Sequence, residues 1–279
     1  MANTYNTDDL LYLMSRLRDP KTGCPWDLKQ TFSSIVPHTL EEAYEVADAI
    51  EKEDFQHLKE ELGDLLFQVI FYSQLGTEAS YFDFGDIVHT LVSKLVRRHP
   101  HVFPSGELRS EANNQVLSDD EIKGRWEQIK QQERDEKAAN MPDINTEPGL
   151  LDDIPNVLPA LQRAEKLQKR ASTVGFDWPE TEQVLDKIEE EIAELREALA
   201  EGNQVNIQDE MGDVLFAMSN LARHINVKSE IALRGTNEKF IRRFSFIEKS
   251  LKQEGRNLGA ASLDEMEALW QLAKTHEKQ

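Results

Sequence analysis

One seven-residue stretch constrains this chain more than any other. Glu61-Leu62-Gly63-Asp64-Leu65-Leu66-Phe67 returns as Glu210-Met211-Gly212-Asp213-Val214-Leu215-Phe216, identical at five of seven positions. Two acids stand three residues apart inside an apolar run. On a helix, positions i and i+3 share a face, so both carboxylates point the same way. Leu62, Leu65, Leu66, Val69 and Ile70 cover most of the remaining surface of the first copy. An acid in such a setting is paired, protonated or bound to a cation, because burying a bare carboxylate is very costly.

The upstream acids repeat as well. Glu41-Glu42-Ala43-Tyr44-Glu45 precedes the first copy and Glu190-Glu191-Ile192-Ala193-Glu194 the second. Glu42, Glu45, Glu61 and Asp64 recur as Glu191, Glu194, Glu210 and Asp213, each 149 positions further on. One four-carboxylate pattern therefore occurs twice, which marks a duplicated unit. Packed face to face, four such acids form an all-oxygen cluster of charge −4. They cannot all stay ionised without a cation, and hard oxygen ligands suit Mg²⁺, with Mn²⁺ as a substitute. The bland alternative is a row of solvated acids, with Glu42 merely completing a capping box from Thr39. Repetition at fixed offset inside an apolar helix favours the metal reading.

A basic group repeats too. Lys94, Arg97 and Arg98 match Lys239, Arg242 and Arg243, spaced i, i+3 and i+4 on one helix face. In a chain of net charge −20 they suit an anion that also carries the metal. Ordinary ion pairing with the many acids is the competing account. Trp126 and Trp270 open a third repeated segment, and an indole can cover a flat base by stacking. Metal cluster, basic triad and aromatic together describe a site for a base carrying polyphosphate.

The remaining features narrow the class. The acidic balance disfavours nucleic acid and anionic membrane surfaces as partners. No apolar stretch approaches the roughly 20 residues that span a bilayer. The single cysteine, Cys24, forms no intrachain disulfide and fits a reducing compartment. With no basic-then-apolar leader at the N-terminus, a cytoplasmic protein is expected. His99-Pro100-His101 mimics a metal pair, but the proline breaks the helix and a turn role fits better. No phosphate-binding glycine loop of the P-loop type is present.

Periodicity and capping signals predict an all-α chain of two similar bundles, each of about four helices. In the first unit, helices are expected over about 8–18, from an N-cap at Thr39 to about 52, over the Glu61 segment to about 75, and over 84–99. A fourth opens at the Ser118–Glu121 capping box and runs to about 138, after a polar loop over 104–117. Residues 141–150 are proline- and glycine-bearing and read as a linker between domains 1–140 and 151–279. The second unit is expected to hold helices over about 158–171 and 182–200, a stop at Gly202, and a helix through the Glu210 segment to about 226. A long one follows over 228–254, and the last opens at the Ser262–Glu265 capping box.

The carboxylate pattern resembles the signature of the all-α nucleotide pyrophosphohydrolases. With Gly23-Cys24-Pro25-Trp26-Asp27, Arg97-Arg98-His99-Pro100-His101-Val102-Phe103 and Asn237-Glu238-Lys239-Phe240, the tandem arrangement closely resembles the MazG family over almost the whole chain. That resemblance implies Mg²⁺-dependent hydrolysis of nucleoside triphosphates to monophosphate and pyrophosphate by a homodimer. By carry-over, Glu191, Glu194, Glu210 and Asp213 would bind metal in the second unit. Lys187, Lys239, Arg242, Arg243 and Trp270 would hold the nucleotide, with Glu191 and Asp213 also beside it. Glu190 would orient or deprotonate the attacking water. Glu42, Glu45, Glu61 and Asp64 are the first unit's metal counterparts. His38 stands where the second unit has Lys187, and Val92 where it has Asn237, so the second unit is expected to be the main catalytic one. Two other readings are an acidic helical regulator that binds nucleotides without turnover, and a narrower dUTP or phosphoribosyl-ATP pyrophosphohydrolase.

Overall fold

A computed structural model describes residues 4–109 and 149–277, together with scattered positions between 118 and 136. Among the described residues all regular structure is helical, as the periodicity predicts. The chain divides into two compact units, Met1–Asn140 and Met141–Gln279.

The first unit contains α1 (Thr7–Leu17), α2 (Phe32–Glu51), α3 (Phe55–Glu78) and α4 (Phe84–Arg98). Polar residues cap each start: Asn6, Thr31, Asp54 and Asp83 accept hydrogen bonds from first-turn amides. Helix α2 begins well before the expected Thr39. Thr31 and Ser34 form its capping box, and Pro37 lies inside it. The proline forfeits a backbone hydrogen bond without ending the helix. Thr39 is interior; its hydroxyl donates to the Ile35 carbonyl at 3.1 Å and lies 3.1 Å from the Tyr72 hydroxyl. Glu42 therefore completes no capping box with it.

Helices α2 and α3 form a close-packed hairpin, and α1 lies against α3. Met14, Ile35, Ile70, Phe71 and Leu75 make the buried core, flanked by Leu10, Phe32, Phe67 and Phe84. Buried Arg18 fastens the end of α1: its Nε and Nη2 donate to Glu78 at 2.8 and 2.6 Å, and its guanidinium lies over Phe71. The Ser118–Glu121 capping box is present, with the Ser118 amide donating to Glu121 at 2.8 Å. Much of the helix expected beyond it, to about 138, and of the loop expected before it lies outside the described residues.

The second unit contains α5 (Ala160–Ser172), α6 (Thr181–Glu201), α7 (Gln204–His224), α8 (Ser229–Gln253) and α9 (Leu263–His276). Gly202 ends α6 at φ +72°, a left-handed conformation that glycine adopts without strain. The chain then reverses into α7, so α6 and α7 repeat the hairpin of α2 and α3. Helix α5 packs on α7 and α8, and α9 on α8. Buried Glu165 on α5 accepts from the Ser229 amide and hydroxyl at 2.7 and 2.6 Å, capping α8 from outside. Asp177 accepts from Arg223 and His224, tying the turn before α6 to the end of α7.

Candidate active site

The hairpin α6–α7 assembles the acids. Glu191 and Glu194 project from one helix and Glu210 and Asp213 from the other. Oxygens of Glu191, Glu194 and Glu210 all lie within 4.8 Å of one another. Asp213 stands beside this trio rather than within it. Loss of surrounding water, then the Glu191 charge, pushes the Glu194 and Asp213 carboxyls above their ordinary range. Glu210 rises for the same first reason, with Asp213 and Glu191 adding to it. The hairpin α2–α3 repeats the arrangement: Glu42, Glu45 and Glu61 group within 4.8 Å, and Asp64 lies adjacent. Glu42 is raised by burial, then by Asp64 and Glu45, and Glu61 by burial, then by Glu45. The buried member differs between the repeats: it is Glu61 in the first, which matches Glu210, and Glu191 in the second, which matches Glu42.

The two clusters take their nitrogen partner from opposite helices of the hairpin. In the second unit Lys187 on α6 reaches Glu190 at 2.7 Å and buried Glu191 at 2.9 Å. These two acids raise the lysine's proton affinity. In the first unit His38 replaces it and comes only within 3.7 Å of Glu41. His57 on α3 compensates, 2.9 Å from Glu61, where the second unit has Asn206. Sequence reasoning missed His57. Its signal was available: it precedes Glu61 by four residues, one turn along the same helix face.

The basic and aromatic residues form a separate group on α8 and α9. Arg243 donates from Nε to Glu277 at 2.8 Å, and its Nη2 lies 2.7 Å from the same oxygen. Its guanidinium carbon sits 5.4 Å from the Trp270 ring, and Phe240 packs 5.3 Å from that indole. Arg242 is largely exposed, with Nε 3.7 Å from Glu277. Lys239 lies one helical turn before them on α8. In the first unit Glu133 accepts from both Arg97 and Arg98, at 2.6 and 2.5 Å, and these two partners hold its carboxyl down at about 2. Trp126 meets His99 edge-on at 5.3 Å. His99 itself closes α4, its Nδ1 2.6 Å from the Leu95 carbonyl, as a turn residue does.

Among the described residues, no hydrogen bond or ion pair joins Lys239, Arg242 or Arg243 to the carboxylates of α6 and α7. The structure brings the acids together, and separately the arginines with Trp270. Glu133 and Glu277 were not foreseen. Each follows its tryptophan by seven residues, two helical turns on one face, a repeat legible in the sequence.

Comparison with known proteins bears on the whole arrangement. A model of the MazG nucleotide pyrophosphohydrolase domain matches residues 30–103 and again 180–245. The chain is 49% identical over 274 residues to an Escherichia coli protein called nucleoside triphosphate pyrophosphohydrolase, covering 97% of each. It is 38% identical over 267 residues to a Thermotoga maritima nucleoside triphosphate pyrophosphohydrolase/pyrophosphatase MazG, covering 96% of this chain and 95% of that one. It also matches Bacillus subtilis YabN, an uncharacterized protein, at 42% identity over 95% of this chain and 51% of YabN. The two matched segments contain the two acid hairpins, α2–α3 and α6–α7, and the chain belongs to the MazG nucleotide pyrophosphohydrolase family, with the domain in two copies.

Proposed function

We propose that the chain hydrolyses nucleoside triphosphates to nucleoside monophosphate and pyrophosphate, with Mg²⁺ required and Mn²⁺ able to replace it. The observation that carries this reading is the convergence of three carboxylate oxygens within 4.8 Å, with a fourth acid alongside, in both hairpins. The relatives from Escherichia coli and Thermotoga maritima bear the name of that activity.

The donor set fits the metal. It is all oxygen, and several members bind protons more tightly than isolated acids because burial strips their water and, second, their charges crowd together. Glu191, Glu194, Glu210 and Asp213 would hold the ion in the second unit, and Glu42, Glu45, Glu61 and Asp64 in the first. When bound, the cation supplies Lewis acidity to phosphate oxygens and lowers the pKa of a coordinated water. The chain's own residues do the rest. Glu190 takes a proton from the attacking water, and Lys187, 2.7 Å away, holds Glu190 in place. Lys239, Arg242 and Arg243 balance the negative charge that grows on the departing pyrophosphate. Trp270 stacks on the base without reading its edge, so a broad base range follows.

Both hairpins leave apolar stripes uncovered. Leu185, Ile192 and Leu199 on α6 and Met211, Leu215 and Met218 on α7 are all exposed, as are Val36, Ile50, Leu62 and Leu66 at matching positions of the first unit. A second copy of the chain is the occupant we propose, giving a homodimer. Among the described residues no helix is long and apolar enough to cross a membrane. One cysteine and a charge of −20 support a cytoplasmic protein without a nucleic-acid partner.

Product analysis tests the reaction. ATP, dATP, GTP, CTP and UTP are each incubated with pure protein, in Mg²⁺ and in EDTA. Monophosphate and pyrophosphate in Mg²⁺ alone is the expected result, and Asp213→Ala should abolish it. Diphosphate and orthophosphate would mean the wrong bond. Turnover of a single nucleotide would favour a narrow-specificity enzyme. Binding without turnover would favour a regulator.

A further inference from the structure

We propose that Glu277 is a positioning residue for the nucleotide's phosphates, acting through Arg243; this rests on reading Arg243 as a phosphate ligand. A guanidinium carries five N–H donors in a rigid fork. Glu277 engages the Nε and Nη2 side of Arg243 through one oxygen, at 2.8 and 2.7 Å. Trp270 covers one face at 5.4 Å. The side chain is 16% exposed and makes no other hydrogen bond to a described residue, so its remaining donors are free for an anion. An arginine held on one edge and one face loses little further freedom when an anion meets the other edge, which is how preorganisation raises affinity.

The duplicated unit shows what is particular about this clamp. Glu133 binds both arginines of its unit through four hydrogen bonds, to Arg97 at 3.0 and 2.6 Å and to Arg98 at 3.3 and 2.5 Å. Glu277 fixes Arg243 alone and leaves Arg242 beyond hydrogen-bond reach at 3.7 Å. The second unit thus offers one hydrogen-bonded guanidinium and one held only by a 3.7 Å ion pair, whereas the first has both arginines hydrogen-bonded to a carboxylate. Glu277 and Trp270 also share one face of α9 and its C-cap, two turns apart. The clamp and the proposed base-stacking residue therefore sit on one helix and its cap.

The test compares Glu277→Gln, Arg243→Ala and the double variant in steady-state hydrolysis of Mg-ATP and Mg-CTP. Inhibition and tryptophan-fluorescence titration by inorganic pyrophosphate accompany it. Glu277→Gln should raise KM about tenfold for both nucleotides, the scale of one charge-assisted hydrogen bond, with kcat within about twofold. Pyrophosphate affinity should fall by a similar factor. In the Arg243→Ala background the Glu277 substitution should add nothing. Glu277→Asp, which keeps the charge on a shorter arm, should lie between wild type and Gln, and it serves if Gln fails to fold. A lower KM in Glu277→Gln would mean the carboxylate competes with phosphate and would overturn the proposal. So would an effect that persists without Arg243. The pyrophosphate titration needs no turnover. Weakened pyrophosphate binding in a chain that hydrolyses nothing would sink the function and keep the clamp; unchanged binding in an active chain would do the reverse.

Discussion

At the level of single residues, the two repeats solve one electrostatic problem with different side chains. A buried glutamate, Glu61 or Glu191, sits inside a group of like charges and needs a cation nearby. Lys187 stands 2.9 Å from Glu191 on α6, while the His57 ring stands 2.9 Å from Glu61 on α3. The clamps carry a pH prediction. Glu133 titrates at about 2 against an ordinary 4.5, because Arg98 and Arg97 favour its charged form. Its contribution to stability is therefore full above 4.5 and shrinks as pH falls toward about 2. Arg97 is more than half exposed and water screens the pair, so about 1 kcal/mol is expected. Urea denaturation of wild type and Glu133→Gln should show that difference at pH 7 and a much smaller one near pH 2.5. A gap that widens in acid would contradict the assignment.

Helices set what these residues can reach. The hairpins α2–α3 and α6–α7 each use one face for the acids and leave a second, apolar stripe open. Gly63 and Gly212 lie in the interior of α3 and α7, and a methyl added at either would meet nothing within 4 Å. An interior helix glycine costs roughly 1 kcal/mol relative to alanine, so open space at both copies fits a face where another surface comes close. With a second copy as the occupant, Leu215→Glu should place charge in the interface and yield a monomer, while wild type sediments as a dimer. Analytical ultracentrifugation at micromolar concentration decides it. A monomeric wild type would leave the stripes without the partner proposed here.

Across the whole molecule the question is which unit works. Both keep the acid trio and the adjacent aspartate. The second adds Lys187 on Glu190 and Glu191, a loosely held Arg242, and Asn237 where the first has Val92. Asp213→Asn should lower kcat/KM for Mg-ATP by a hundredfold or more, on the order of 3 kcal/mol of lost transition-state stabilisation. Asp64→Asn should leave most of the rate. Equal losses would make both units catalytic. A loss confined to Asp64→Asn would reverse the assignment.

The duplication, the helical class and the grouping of acids on helix faces were all legible in the amino-acid sequence. They depend on short-range periodicity: residues three or four apart share a face wherever the helix is placed. Short-range rules also located the capping boxes at Ser118 and Ser262. They misplaced the start of α2, because a proline six residues into a helix costs one hydrogen bond and core packing of Ile35 against Ile70 and Phe71 outweighs it. Tertiary structure alone decided which partners meet across helices. It put Asp213 beside the trio, chose His57 over His38 for Glu61, and gave Arg243 to Glu277. Those pairings depend on how each helix is rotated and staggered against its neighbour. That rotation is set by the packing of whole apolar faces, which no window of a few residues contains.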